Sequence, residues 1–274
     1  MKRFIALLFL FPLLLSAQTE WSRNGGSILN RPMLATVGLE GIFPSLKSVG
    51  YGEISGYGIL ASARIPLPGV TLVLEVPFAS GTQKYSSPSF TMEQSKSAIG
   101  NPYVGVEIGS SDLVTEFGIR FPLMTQENGA AAAAVANADF LNLERYLPKA
   151  MSLEAALSVN PGVANLVNLH FRAGPVLWIP IPREGRETEA LLDYEAGVAV
   201  GIGPLSVAAG IAGRLILTED RLLGQRKTAH TFQGEIASSF GPVHPSLFYR
   251  VPLGQEEISD LVSSIIGIVV VVSL

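Results

Sequence analysis

The chain has 274 residues, of which 48% are hydrophobic and 15% are charged, and its formal net charge is −4. It contains no cysteine, which excludes disulfides, thiolate metal sites and a lipid-anchored cysteine, and its slight acidity gives no reason to expect a nucleic-acid partner. No internal stretch reaches the roughly 20 consecutive apolar residues of a membrane-spanning helix, so the hydrophobicity must follow another pattern.

The N-terminus has the layout of a secretory signal peptide. Lys2 and Arg3 precede an apolar run over residues 4–15, and Ser16-Ala17 offers small residues before a cleavage point. The run is too short for a transmembrane helix. We therefore expect export and cleavage after Ala17, followed by a short polar periplasmic lead-in over residues 18–33.

From residue 34 onward the chain alternates between apolar and other side chains with a period of two, which indicates β-strands. The clearest case is residues 190–217, where two alternating runs flank the turn Gly203-Pro204. Each run has the roughly 9–11 residues that a tilted strand needs to cross a bilayer. The pattern predicts twelve strands, at residues 34–43, 54–66, 70–78, 101–109, 112–123, 152–159, 167–180, 190–202, 205–217, 229–240, 245–253 and 263–274.

The connections alternate between short and long without exception. The short ones are rich in Pro, Gly, Ser and Asn, at residues 67–69, 110–111, 160–165, 203–204 and 241–244. The long ones, mostly polar, lie at residues 45–53, 79–100, 124–151, 181–189, 218–228 and 254–262. Bacterial outer-membrane barrels have an even strand number, short periplasmic turns and long extracellular loops. Residues 34–274 therefore predict an all-β, antiparallel, up-and-down transmembrane β-barrel of about 12 strands, with both termini on the periplasmic side.

Within each strand, apolar residues occupy every second position. The positions between them carry ionisable side chains on eleven of the twelve strands. An arginine facing lipid near the bilayer centre would cost about 2–4 kcal/mol, and acidic residues somewhat less, so these residues are expected inside. The predicted lumen-lining residues are Glu40, Arg64, Glu75, Glu107, Glu116, Arg120, Glu154, His170, Arg172, Asp193, Glu195, Arg214, Glu235 and Arg250.

The longest connection, residues 124–151, has two interpretations. It contains an alanine run at residues 130–134, which favours a helix, and leucines at 141, 143 and 147 that are too apolar for a fully solvated loop. One interpretation is a loop folded inward that narrows the pore. The other is a helical cap on the outer rim.

With these features the chain resembles Gram-negative outer-membrane β-barrels from residue 18 to the end. The family commonly closes with an aromatic residue that the barrel assembly machinery recognises, whereas this chain ends in Leu274. The stretch IGNPYVGV at residues 99–106 is similar to the Gly-Asn/Asp-x-x-x-Gly strand openings of a transporter-like barrel family linked to phenol meta-pathway degradation. That resemblance implies transport of small molecules, apolar or aromatic ones among them.

Candidate catalytic groups are few. None of His170, His230 and His244 stands in a His-x-Ser-Asn-Gly stretch like that of the outer-membrane phospholipases. Asp193 and Glu195 are read as part of a charge ladder, and no histidine–carboxylate cluster has metal-ligand spacing. The sequence thus predicts no catalytic site, cofactor or metal, and a barrel enzyme is the least favoured reading.

Two functions follow from the barrel. The first is a monomeric channel or transporter for small solutes in the cell outer membrane, surrounded by outer-membrane lipid. Its five arginines against eight acids predict a weak cation preference. The second is a closed barrel whose inward charges pair across the lumen, with a structural or loop-mediated binding role. The first is favoured by glycines that leave space in the lumen, at positions 56, 58, 105, 118, 174, 197 and 201.

Overall fold

The structure is a computed structural model that describes residues 19–21, 27–29, 35–46, 52–87, 90–110, 112–125, 127, 135, 139–164, 166–181, 187–218, 228–253 and 262–274. The predicted signal peptide at residues 1–17 lies outside the described residues. The strands in chain order are β1 (Thr19–Trp21), β2 (Ser27–Leu29), β3 (Thr36–Leu46), β4 (Gly52–Leu67), β5 (Val70–Ser87), β6 (Phe90–Ile99), β7 (Tyr103–Gly109), β8 (Leu113–Arg120), β9 (Ala150–Val159), β10 (Gly162–Ala164), β11 (Val167–Pro180), β12 (Glu189–Ile202), β13 (Leu205–Ile216), β14 (Thr228–Ser238), β15 (Val243–Leu253) and β16 (Val262–Ser273).

Twelve of these strands form a closed antiparallel barrel. Each pairs with its neighbour in the chain, with β7 following β5 in the wall and β11 following β9. The last strand, β16, pairs with β3 from Val272↔Val37 to Ile265↔Pro44 and so closes the cylinder. Closure removes the unpaired sheet edges that a membrane cannot solvate. The predicted fold class and all twelve predicted strands are confirmed, with most ends within two residues.

The alternation of side chains separates two faces of the barrel wall. Apolar residues such as Leu39, Phe117 and Ile236 are about half exposed on the outside, while their strand neighbours Glu40, Glu116 and Glu235 point the other way. Soluble proteins do not expose apolar surface of this extent around a whole sheet. Such an outer face requires lipid.

One connection was predicted wrongly. Residues 79–100 are not a loop: β5 continues to Ser87, and β6 pairs with it from Phe78↔Ile99 to Ser87↔Phe90. Hydroxyl pairs between Ser80 and Ser97 and between Thr82 and Ser95, each 2.9 Å apart, join the two strands. The β6 strand is exposed on both faces from residue 90 to residue 97, so its sequence carries none of the apolar periodicity that marks the wall strands.

The remaining described elements are small. A 3₁₀ segment spans Phe140–Arg145 within the longest connection. In the part of the chain that the structure describes, no helix is both long and apolar enough to span a membrane. The predicted lead-in contains the two-stranded sheet β1–β2, whose backbone lies beside β11, β12 and β15.

Candidate functional site: the barrel interior

The fourteen ionisable residues predicted to line the lumen all avoid the exposed outer face. Nine of them are buried: Glu40, Glu75, Arg120, Glu154, His170, Glu195, Arg214, Glu235 and Arg250. The other five are partly buried: Arg64, Glu107, Glu116, Arg172 and Asp193. They share the barrel interior with residues that the sequence reading missed.

The most important of those residues belong to the longest connection. Residues 139–147, here called the inward segment, lie inside the barrel at the end that carries the long loops. Asp139, Asn142, Glu144, Arg145 and Tyr146 are each at most 2% exposed. Of the two interpretations of residues 124–151, the inward fold is therefore the one that the structure shows. The alanine run at 130–134 lies outside the described residues.

Arg214 on β13 holds the inward segment to one side of the wall. Its Nη2 lies 2.9 Å from the Glu144 carboxylate and donates to the carbonyl oxygen of Leu141, while Nη1 donates to that of Phe140. The same guanidinium makes a two-bond contact with Asp193 on β12, at 2.6 and 2.8 Å. Arg214 is fully buried, so these charge-assisted bonds are strong and breaking them leaves carboxylates stranded.

A second charge cluster holds the segment near β3 and β15. Arg250 donates to Asp139 at 3.1 Å, and Arg145 lies 3.7 Å from Asp139 and 3.9 Å from Glu40. Burial opposes the charged form of Arg145, but the carboxylates of Glu40, Glu75 and Asp139 outweigh it and raise the pKa of the guanidinium. Arg145 therefore stays charged inside the barrel.

Asn101 fastens the segment from the opposite wall. Its side-chain amide donates to the carbonyl oxygens of Glu144 (3.0 Å) and Leu147 (2.8 Å), and its Oδ1 accepts from the backbone N–H of Met124 at 2.8 Å. A Cβ at Gly100 would collide with the carbonyl oxygen of Arg145. The Gly100-Asn101 pair, singled out in the sequence as a strand opening, is thus the place where the wall and the inward segment meet.

An Asn101→Asp substitution is expected to loosen the inward segment. It turns two donated hydrogen bonds into contacts between oxygen atoms, and each buried carbonyl left unpaired costs about 1–3 kcal/mol. Trypsin should then cut after Arg145 markedly faster than in the parent protein. Asn160→Asp is the matched control, because Asn160 contacts His170 and lies in the short turn that follows β9, at the other end of the barrel wall. Equal cleavage rates in the two variants would contradict this role of Asn101.

Three further arginines form ion pairs within the wall. Arg120 bridges Glu75 (3.0 Å) and Glu154 (3.3 Å), and its guanidinium lies over the Tyr103 ring. Arg172 pairs with Glu116 at 2.7 Å, and Arg64 pairs with Glu107 at 3.3 Å. The last two pairs retain some exposure, whereas the Arg120 cluster is buried.

The space above the interior glycines is partly filled, contrary to the expectation that they leave the lumen open. The Tyr103 ring occupies the position that side chains at Gly105 and Gly118 would need, and its hydroxyl donates to Glu116 at 2.6 Å. At Gly58 the corresponding position is taken jointly by the side chains of Ile42, Val135 and Tyr146. At these three positions the glycines make room for larger side chains of the interior.

The interior also contains an apolar cluster that the sequence reading missed. Trp178, Val176 and Leu191 are at most 1% exposed and pack with Leu143 and Tyr146 of the inward segment. The signal for them was present, because Val176 and Trp178 share the parity of Arg172 on β11. The predicted polar interior is therefore polar only in part: its long-loop half has a hydrophobic core.

The three histidines form separate contacts. His170 Nδ1 lies 2.6 Å from Asn160, and its Nε2 lies 4.0 Å from Glu195. His230 contacts the Tyr194 hydroxyl, and both ring nitrogens of His244 face serine hydroxyls, of Ser239 and Ser273. Over the described residues, no group of three histidine, cysteine or acidic side chains is placed to hold a metal ion.

A closed twelve-stranded antiparallel barrel with an apolar outer face and a charged interior is the fold of Gram-negative outer-membrane β-barrels. A solved outer membrane channel from Pseudomonas putida F1 is similar, with a TM-score of 0.63, 9% identity, and coverage of 89% of this chain and 96% of that one. The NanC porin is similar with a TM-score of 0.52, 10% identity, and coverage of 87% and 100%. No family model and no curated protein matches the chain. At these identities the similarity shows the fold alone.

Proposed function

We propose that the protein is an outer-membrane channel or transporter for small solutes, closed in this conformation by its inward segment. The observation that carries the proposal is that the described residues 139–147 form no strand pairing with the wall and are fixed to it by hydrogen bonds, ion pairs and packing, through Asn101, Arg214 and Arg250. A segment held in this way can shift without breaking any strand pairing. The similar solved structures named above, a channel and a porin, support the same class.

The proposal includes the route to the membrane and the surroundings there. Residues 1–17 would direct export, the barrel assembly machinery would insert the chain, and the monomer would be surrounded by outer-membrane lipid. The substrate class implied by the resemblance at residues 99–106, small apolar or aromatic molecules, remains part of the proposal.

The interior charge predicts a preference for cations. The fourteen wall residues contain five arginines and eight acids, and the inward segment adds Arg145, Asp139 and Glu144. An excess of carboxylates raises the local concentration of cations. The reversal potential of single channels in a salt gradient should therefore show cation selectivity in the refolded protein, and anion selectivity would contradict the prediction.

A variant of two partly exposed acids tests whether the carboxylates cause the cation selectivity. Glu107 and Glu116 lie in the short-turn half, with side chains 12% and 13% exposed. Replacing both with glutamine should lower the cation-to-anion permeability ratio. Glu93→Gln on the protruding β6 strand is the control and should leave the ratio unchanged.

A second candidate is a plugged barrel with a structural or loop-mediated role. The specific observation in its favour is that all five arginines predicted inside are ion-paired. The pairs are Arg64 with Glu107, Arg120 with Glu75 and Glu154, Arg172 with Glu116, Arg214 with Asp193 and Glu144, and Arg250 with Asp139. Conductance recordings in a planar bilayer distinguish the two candidate functions. Discrete conductance steps support the channel, whereas a silent bilayer containing folded, inserted protein supports the plugged barrel.

A further inference from the structure

A tyrosine and a histidine form a polar pair on the lipid-facing side of the barrel. Tyr194 on β12 and His230 on β14 lie on the same outward faces of their strands as the exposed apolar residues Val198 and Phe232. Their rings lie 5.9 Å apart, and the Tyr194 hydroxyl lies 2.7 Å from Nδ1 of His230. The pair is therefore separate from the charged interior.

The strand between the two residues leaves room for the pair. Tyr194 is paired in register with Gly213 on β13, and Gly213 is paired with His230. A Cβ at Gly213 would collide with the Tyr194 ring. Because glycine has no Cβ, the ring can lie across β13 and reach the histidine on the far side.

The pair lies near the long-loop end of the wall. Gly213 is three residues before the end of β13, and His230 is two residues after the start of β14. In barrels of this class the short turns are periplasmic and the long loops extracellular, so this end of the wall lies in the outer leaflet. Tyrosines are enriched at the depth where lipid headgroups begin. An outer-leaflet lipid is therefore the molecule that covers the pair.

One ring nitrogen of His230 has no partner in the described part of the chain. Nδ1 is held by Tyr194, and Nε2 forms no hydrogen bond to a described residue. When the hydroxyl donates to Nδ1, the neutral ring carries its proton on Nε2, and in the protonated ring both nitrogens donate. An N–H without an acceptor is costly in apolar surroundings, so a lipid group that accepts from Nε2–H stabilises the pair.

The acceptor that fits this position is a phosphate. The outer leaflet of this type of membrane consists largely of a phosphorylated glycolipid, and a phosphate accepts from an imidazole N–H in a strong, charge-assisted bond. In the sequence, Arg226 and Lys227 directly precede Thr228, the first residue of β14, and their charges favour an anion over a neutral ester. We propose that Tyr194 and His230 form a binding site for a phosphate group of an outer-leaflet glycolipid. The site goes beyond the proposed function, because lipid would bind whether or not the barrel conducts.

Histidine resonances measure this binding directly. The chain has three histidines, so protein with isotope-labelled histidine, refolded in dodecyl maltoside, gives three Cε1–H resonances. His230→Leu identifies the one from His230, and leucine suits a lipid-facing position. Titration with diphosphorylated lipid A should shift this resonance in a saturable way and leave those of His170 and His244 in place. Lipid A without its phosphates should cause no shift.

Native mass spectrometry compares the affinities of the variants for lipid A. His230→Leu should raise the half-saturating concentration about tenfold, the effect of losing one charge-assisted hydrogen bond. Tyr194→Phe keeps the ring but removes the hydroxyl that orients the imidazole, and should also weaken binding. His244→Gln is the control, because His244 lies near the short turns and both of its ring nitrogens face serine hydroxyls.

Three results would overturn the site. The first is a His230 resonance that does not move with diphosphorylated lipid A, or that moves equally with the dephosphorylated form. The second is equal half-saturation for the parent, His230→Leu and Tyr194→Phe. The third is an equal shift with inorganic phosphate alone, which would indicate a site for free anions and not for lipid. Conductance in the bilayer is measured separately, so failure of the lipid site and failure of the channel are distinguishable.

Discussion

Replacing residues 125–148 with Asn-Gly is expected to raise the single-channel conductance several-fold. The two ends of this connection already meet, because the Lys149 N–H donates to the Met124 carbonyl oxygen at 3.2 Å. That is the bond that closes a two-residue β-turn, and Asn-Gly is the preferred sequence for such a turn. The replacement removes the whole inward segment without changing the twelve barrel strands.

The physical reason for the increase is the volume that the segment occupies. Leu143, Glu144, Arg145 and Tyr146 fill the long-loop half of the interior and are almost completely buried. The replacement also removes Asp139, Glu144 and Arg145, which pair with charged residues of the wall. The carboxylates and arginines of the wall would then be exposed, and water would fill the space around them. Planar-bilayer recordings at one salt concentration provide the comparison with the parent protein.

A second shortened variant controls for the loss of residues. Gln83 and Gln94 face each other in the β5–β6 hairpin, so replacing residues 84–93 with Asn-Gly shortens the hairpin that rises above the barrel. This variant should conduct like the parent. If removal of the inward segment leaves the conductance unchanged in folded, inserted protein, the segment is not the constriction.

The sequence predicted the wall of this barrel well because lipid imposes a strict pattern on it. Each wall strand must place apolar side chains outside at every second position, and Leu205–Ile216 follows that rule except at Gly213, where the ring of Tyr194 covers the outer face. The β5–β6 hairpin was missed for the same reason. Outside the membrane, a strand such as Phe90–Ile99 has water on both faces and needs no alternation.

The inward segment could be predicted only as one of two alternatives. Its leucines showed that residues 139–147 are buried somewhere, but local sequence carries no information about which surface buries them. The partners lie far away in the chain: Arg214 is 70 positions beyond Glu144, and Asn101 precedes it by 43. Trp178 could have been placed inside, because it lies on the same face of its strand as Arg172. The position of the Tyr103 ring above Gly118 could not, because it depends on how neighbouring strands are paired in the folded barrel.

Arg214→Met is expected to lower the free energy of unfolding by about 3–5 kcal/mol, the usual cost of removing one partner from a buried ion pair. The substitution removes the Arg214 ion pair from Glu144, whose side chain is 1% exposed, and leaves Asp193 without its two-bond partner. It also removes the donors to the carbonyl oxygens of Phe140 and Leu141. Urea unfolding of the protein from lipid vesicles, followed by tryptophan fluorescence, measures the change.

A matched substitution shows whether burial is the cause. Arg64 is ion-paired with Glu107, and its side chain is 26% exposed, so Arg64→Met should cost at most about 1 kcal/mol. Adding Glu144→Gln to Arg214→Met should recover part of the loss, because a neutral amide no longer leaves an uncompensated charge inside the barrel. The expected order is therefore Arg214→Met least stable, the double variant next, and Arg64→Met close to the parent. Equal costs for Arg64→Met and Arg214→Met would mean that water reaches Arg214, in which case the inward segment does not seal the long-loop half of the barrel.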